Sequence, residues 1–530
     1  MFSFAFLIGI YSFAIFALGI SSQLYKNNIL IISVIFLLLV LFVFIQSFRK
    51  TAFKKEINAI MKSKTSVILL VLLSLQIVIN LTGVFGPEIA FDALWYHLTL
   101  PKIFLLNHQI YHIPGNLLYY SDLPKLGETL YISALSISNE FMAKFIHFLF
   151  GLFSSYVIYK ISRKYLNHKY SLLAVLVFYS NLVVGWLSIS AYVDLIRTFF
   201  EIIAFWAFLE WMDSKKTSWL IESALFVGLG ICVKFTGFVS LFAYLPFLIY
   251  FLRNKNIKET IGKIFLFILF AIIVPLPYFV LSFLNTNNPV YPLFSDLLPG
   301  NVLLTPYLYV KEAFILLTSS ADPISPIYFL SLPLMIIFYR KFNLESKFIL
   351  LYSLVSFVLI ILLPVGDRAR FFLPYLPVLS IGVAVTFSKL NSNLIKKTCL
   401  FIVLLLSVVS IIYRLGANSK FFPYLIGRET KSEFLTRNLN FSFGDFYDTD
   451  DFFSQKITVN DKALLIGFHN LYYIEFPFID NTWVKNGDSF NYIATQNSEL
   501  PKRFKFWQLI YSNSITKTNL YTLGGVKWLY

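Results

Sequence analysis

The stretch ILIISVIFLLLVLFVFIQSFRKTAFKKEINAIMKSKTSVILLVLLSLQIVINLTGV, residues 29–84, decides the fold. Residues 29–48 and 66–84 carry no charge at all. An uncharged apolar run of about 20 residues is the length of helix that crosses the hydrocarbon core of a bilayer. Between the two runs lie Arg49, Lys50, Lys54, Lys55, Lys62 and Lys64. Apolar, then basic, then apolar is the signature of two membrane spans joined on the cytoplasmic side.

Working outward, apolar runs recur at 3–21, 28–48, 66–84, 141–159, 170–187, 194–211, 218–233, 236–252, 264–284, 326–339, 347–364, 371–387 and 398–413. The composition agrees, with 58% hydrophobic and 14% charged residues, where soluble chains carry about 25% charged. No soluble fold of this size hides so much apolar surface from water. The expectation is a polytopic α-helical membrane protein of about 13 spans. If all thirteen runs cross, 22 Lys and Arg fall in short loops on one side, and only Lys26, Lys234, Arg368 and Arg370 on the other. The basic side is therefore cytoplasmic. The net charge of +16 comes from these clusters, so it is a topology signal and excludes nucleic acid as a partner. Cys232 and Cys399 both sit in apolar runs and offer neither a disulfide framework nor metal-ligand spacing. The first apolar run lacks a basic leader and is followed at once by another, so it reads as a span, not a cleaved signal.

This topology divides the chain into three parts. Residues 1–65 are two extra spans and a basic loop. Residues 66–414 form the membrane domain, with large extracytoplasmic loops at about 85–140 and 285–325. Residues 415–530 form a soluble extracytoplasmic domain. That tail mixes an acidic patch (Asp445, Asp448, Asp450, Asp451) with strand-like runs at Ala463–Gly467 and Val526–Tyr530. It reads as a small α/β or α+β domain with no catalytic motif, a binding or stabilising appendage.

The densest polar chemistry lies in GPEIAFDALWYHLTLPKIFLLNHQIYHIPGNLLYYSDLPK, residues 86–125. Phe91, Trp95 and Tyr96 suit short amphipathic helices on the membrane surface. Asp92, at the membrane–water boundary among apolar neighbours, has the setting of a general base. Equally, it is placed to cap a helix over Ala93–Leu100 that Pro101 would close. His108 and His112 are followed directly by Pro114 and Gly115, which argues against a helical metal pair. Asp194 and Arg197, at i and i+3, can pair on one helix face. Lys234, Arg368 and Arg370 are cations on the outer side, so each calls for an anion, either a lipid headgroup or a substrate phosphate.

Four segments in order, FDALWYHLTLPK (91–102), VKFTGF (233–238), NPVYPLF (288–294) and RFFLPYLP (370–377), resemble the GT-C class of membrane glycosyltransferases. The likeness is to the family 39-like bacterial relatives of protein O-mannosyltransferases and of the lipid A aminoarabinose transferase, over about 66–413. It implies transfer of a sugar from a polyprenyl-phosphate donor to an extracytoplasmic lipid, glycan or protein hydroxyl, with inversion, in the cell (inner or plasma) membrane. By the same resemblance Asp92 is the catalytic carboxylate and Asp194 a second acidic position. Tyr96, His97, Lys102, Lys125, Lys234, Arg368 and Arg370 are the candidates for substrate binding. No metal ligand set is assigned, though Glu88 and Asp122 leave room for a divalent cation. The two N-terminal spans depart from the minimal family core. The competing reading, a transporter or flippase of a lipid-linked sugar, would use the same cations and lipid cleft without chemistry. No internal repeat supports it.

Overall fold

A computed structural model describes residues 1–47, 50–297, 311, 323–362, 369–524 and 526–530. Each of the thirteen apolar runs is wholly or largely helical where described. Among the described residues, however, eight helices are both long and apolar enough to cross a membrane. They are Phe2–Ile20, Lys26–Gln46, Lys64–Val84, Glu140–Tyr165, Phe235–Leu252, Leu344–Leu362, Ala369–Lys389 and Asn393–Leu425. A ninth crossing results if Ile257–Ile273 and Leu276–Thr286, bent by 57°, count as one. Pro275 sits at that bend, where it removes a backbone donor.

The count of thirteen is not reached, for reasons visible in the other four runs. Residues 170–187 break at Ser180–Asn181 into two short helices, His168–Tyr179 and Leu182–Leu187. Thr217–Val233 has 17 residues and Ile327–Phe338 has 12. Asp194–Ser214 is long enough, at 21 residues, but carries Asp194, Arg197, Glu201, Glu210 and Asp213. It is buried along nearly its whole length. A helix surrounded by protein does not need a lipid-compatible surface, so hydropathy underrates it.

That central helix positions the site. It packs against Glu140–Tyr165, Thr217–Val233 and Leu376–Lys389, and its polar residues reach partners on the turns Phe235–Gly237 and Leu373–Tyr375 and on the helices Phe238–Leu252 and Leu344–Leu362. Arg197 donates to the Thr236 hydroxyl (2.7 Å), the Thr236 carbonyl (2.9 Å) and the Tyr375 hydroxyl (2.6 Å). One turn deeper, Glu201 accepts from Ser240 and Tyr352. Buried polar groups are tolerated when paired in this way. The i, i+3 pair of Asp194 with Arg197 does not form, because both side chains find better partners on other helices.

The N-terminal helix Phe2–Ile20 is not peripheral. Phe2 packs against Trp206 and Trp219 at 4.8 and 5.0 Å between ring centroids. Gly9 and Gly19 lie so close to Leu229 and Ile110 that a Cβ would stand 2.8 and 2.4 Å from those side chains. Small residues permit this approach. The turn after the helix clasps the first large loop, Ile110 N–H donating to Gly19 O (2.9 Å) and Leu24 N–H to His108 O (3.1 Å).

The tail is a mixed α/β unit. Its five-stranded sheet has the order β2-β1-β4-β6-β5, with β1 at Ala463–Ile466, β2 at Phe478–Asp480, β4 at Tyr492–Gln496, β5 at Gln508–Asn513 and β6 at Thr518–Thr522. Strand β1 is parallel to β2 and β4, and all four of its residues are buried, as a strand covered on both faces requires. The final run pairs differently, β7 (Trp528–Leu529) lying antiparallel to β3 (Ser489–Phe490). Lys102 fastens this unit to the first loop by donating to the carbonyls of Tyr472 and Ile474, each at 2.7 Å. At Gly115 (φ +87°) a Cβ would stand 2.2 Å from Thr482 O, so only glycine permits that contact.

Candidate active site

Asp92 lies in the first loop just before a wide π-type turn, Ala93–His97, which runs into the helix Thr99–Leu106. Pro101 sits in the first turn of that second helix, where proline is tolerated, and does not close the first. The Asp92 side chain makes no capping hydrogen bond. One of its oxygens instead meets the Arg370 guanidinium at 2.6 Å and the Tyr96 hydroxyl at 3.4 Å. Its backbone N–H donates to the Tyr192 hydroxyl at 3.3 Å. Asp194 begins the central helix and accepts from Lys234 Nζ at 3.0 Å. The Arg370 guanidinium also lies over the Tyr192 ring, 5.2 Å from its centroid.

Two carboxylates and two cations thus form a charge-balanced cluster between the first loop, the central helix, the Lys234 turn and the Ala369–Phe372 turn. Lys234 and Arg370 each meet a protein carboxylate. One oxygen of Asp194 and the Arg370 Nε are buried without a partner. Such groups mark unused hydrogen-bonding capacity where a ligand would sit.

The backbone around the cluster is fixed by three buried side chains. Glu88 accepts from its own loop at Ile89 N (2.9 Å) and Ala90 N (2.8 Å), and from the opposite turn at Ala191 N (2.6 Å). Lys144 donates to Gly83 O and Gly86 O at 2.8 and 2.7 Å. His147 binds Leu187 O and Ser190 O through Nδ1, while its Nε2 accepts from Leu195 N at 2.9 Å. The two turns bearing Asp92 and Asp194 are thereby sewn together. Burial raises the Glu88 carboxyl above its ordinary value, against the pull of Lys144 and the three amides.

Of the remaining candidates, Tyr96, His97, Lys125 and Lys234 line one small cavity with Tyr120, Glu128 and Val193. Tyr96 stacks on Tyr120 at 3.7 Å between ring centroids. Burial, reinforced by the charge of Asp92, pushes its phenol well above the ordinary value, so it stays protonated. His97 is buried against Glu128 at 2.6 Å. Lys125 donates to Leu123 O, and burial draws its ammonium down to about 8. Lys102 is not brought to this cavity and serves the tail instead, while Arg368 lies outside the described residues. The oxygens of Glu88 and Asp122 are committed to protein donors, those on Asp122 coming from His112 (2.6 Å), Ser121 (3.0 Å) and Asn285 (2.8 Å). His108 turns instead to Leu24 O and the Tyr25 ring. Among the described residues, no three His, Cys, Asp or Glu side chains are grouped to hold a metal ion.

The helical bundle folds its first loop over a buried carboxylate–cation cluster. Residues 130–279 match the family described as dolichyl-phosphate-mannose-protein mannosyltransferase. The fold is shared with ArnT from Cupriavidus metallidurans in the apo state, at a TM-score of 0.58 and 12% identity over 87% of this chain and 98% of that one. The same protein bound to undecaprenyl phosphate matches at 0.53 and 13% identity, covering 86% and 97%. The Archaeoglobus fulgidus oligosaccharyltransferase in complex with Zn and sulfate is more distant, at 0.48 and 12% identity over 85% and 73%. No curated protein sequence matches the chain. The chain thus shares the fold of ArnT and, over residues 130–279, matches a mannosyltransferase family.

Proposed function

We propose that this chain transfers a sugar from a polyprenyl-phosphate donor to an acceptor hydroxyl outside the cytoplasm, with Asp92 as general base. The observation that carries the reading is the paired cluster, Asp92 with Arg370 and Asp194 with Lys234. A donor phosphate competes with the carboxylates for the two cations. Its arrival draws Arg370 away and frees Asp92 to accept a proton. The acceptor oxygen then bonds to the anomeric carbon on the face opposite the phosphate, and its proton passes to Asp92. The anomeric carbon–oxygen bond breaks, the electron pair leaves on the lipid phosphate, and the configuration inverts. The leaving group gains one negative charge, which Arg370 and Lys234 stabilise in a site of low dielectric.

Undecaprenyl phosphate in ArnT supports the donor class. The clustering of Lys and Arg in the loops between apolar runs supports an extracytoplasmic cluster and tail. A flippase has no need of a base beside its cations, and the one-sided cluster favours transfer over transport. A positioned base contributes about 10²–10⁴-fold. Surface glycans and glycolipids of a parent strain, a deletion strain and a deletion complemented with Asp92→Asn are compared by mass spectrometry. A sugar lost in the deletion and not restored by well-expressed Asp92→Asn is the expected result. Full restoration removes Asp92 from the chemistry and favours transport.

A further inference from the structure

The tail brings two rings to the rim of the site. Phe443 and His469 pack on Phe91, with centroids at 5.2 and 4.9 Å, and His469 also lies 4.6 Å from Trp95. Phe91 and Trp95 flank Asp92 in sequence, and Trp95 continues edge-on to Tyr119 and Tyr120 at 6.1 and 5.1 Å. These rings are not a closed core: Phe443 is 64% exposed, and Phe91, Trp95 and His469 are each part-exposed. Aromatic surface left open beside a carboxylate marks a ligand site rather than domain packing alone.

The platform is also built. The His469 Nδ1 meets the Asn470 side chain at 2.9 Å, and Asn470, itself buried, donates to buried Asp445 at 2.5 Å. The backbone N–H groups of His469 and Asn470 both donate to Gly444 O, at 3.2 and 3.0 Å. Gly444 has φ +97°, and a Cβ there would stand 2.6 Å from the His469 Cβ. A glycine at that turn lets Phe443 and His469 stand side by side. Locking of rings by a buried polar pair is what a preorganised binding site requires.

We infer that Phe91, Trp95, Phe443 and His469 form an acceptor subsite that stacks a sugar ring and offers one of its hydroxyls to Asp92, so that the acceptor is a saccharide. This rests on the transfer reaction proposed above. A sugar presents a face of C–H groups to ring faces and a rim of hydroxyls to the Tyr and His polar edges. A lipid tail needs no polar edges, and a peptide strand seeks backbone partners that this platform does not present.

Linkage analysis of the product tests the inference. In the deletion strain complemented with wild type, the enzyme-dependent sugar is expected to be joined to another sugar. Phe443→Ala with His469→Ala lowers its amount at least tenfold at equal protein level. Phe506→Ala, an exposed ring elsewhere in the tail, leaves it unchanged. In membranes, with glycan purified from the deletion strain as acceptor, the double variant raises the acceptor KM and not the donor KM. The conservative pair Phe443→Tyr and His469→Phe restores transfer if stacking is the role. An enzyme-dependent sugar attached directly to Ser, Thr or a lipid overturns the inference while leaving transfer standing, and so does wild-type activity of the double alanine variant. Absence of any enzyme-dependent sugar, or full activity of Asp92→Asn, refutes the transfer reading and this inference with it.

Discussion

Glu88→Gln perturbs the stitch between the two acidic turns while changing little in shape. The carboxylate accepts on both oxygens, two amides on one and Ala191 N–H on the other. An amide has one accepting oxygen. If that oxygen keeps Ile89 and Ala90, the NH2 group faces the Ala191 N–H, donor against donor. A buried donor left unpaired costs about 1–3 kcal/mol, and a hydrogen bond to a charged group is worth about 1.5–3 kcal/mol. Lys144, fully buried nearby, also loses the negative charge that favours its ammonium. These contributions overlap, so the expected loss is about 2–3 kcal/mol, not their sum. The activity effect follows from position, since a 1 Å displacement of a reacting group costs about 10²-fold. Thermal melting in nanodiscs and single-turnover transfer are read on the same preparation, expecting a lower midpoint and slower chemistry. Pairing the change with Lys144→Met should be less damaging than the two single effects added. Melting and turnover both equal to wild type in Glu88→Gln would show that the stitch does not hold the turns.

Three further expectations concern charge. Lys234→Met leaves buried Asp194 without its cation and lowers the melting midpoint, and adding Asp194→Asn recovers much of the loss even though transfer stays impaired. Asp480, buried in β2, is raised to about 6 by that burial. The folded state therefore favours its protonated form, and its contribution is lost as pH rises from about 4 to 6. Asp480→Asn keeps an oxygen for Thr482 N–H and should stabilise the tail at pH 7 by up to about 3 kcal/mol, with the gain vanishing near pH 4 in melts followed by tryptophan fluorescence. Burial draws Lys102 and Lys125 down to about 8, below an unfolded value of about 10.4. Stability then rises with pH between those values, and Lys102→Met should reduce that slope in pH-dependent melts.

The membrane character and the first loop were legible because they rest on local signals: uncharged length, Lys and Arg placement, and a carboxylate among aromatics. The short quoted segments lead to one cluster, since Asp92, Lys234 and Arg370 each come from one of them. What spacing missed is what tertiary packing decides. Asp194 and Arg197 share a helix face in sequence, yet each binds a residue on another helix. Lys102 has the look of a substrate cation and serves as a domain fastener, because its long stem reaches two carbonyls about 370 positions away. His147 sits in an apolar run with nothing nearby to suggest that both nitrogens hold a distant turn. His469 and Tyr192 carry no motif, and only the folded chain sets them beside Asp92.

The embrace of Phe2 by Trp206 and Trp219 also imposes a timetable. Synthesis runs at about 5–20 residues per second, so the first helix waits about 10–40 s for the partners some 200 residues behind it. During that interval its glycine-lined seam faces lipid or the insertion machinery. Only when Thr217–Val233 arrives can Gly9 meet Leu229, whereas Ile110, the partner of Gly19, is made earlier. Closure of this seam is therefore gated by helices some 200 residues downstream, and a substitution at Gly9 should delay maturation of a protein whose cluster residues are all intact.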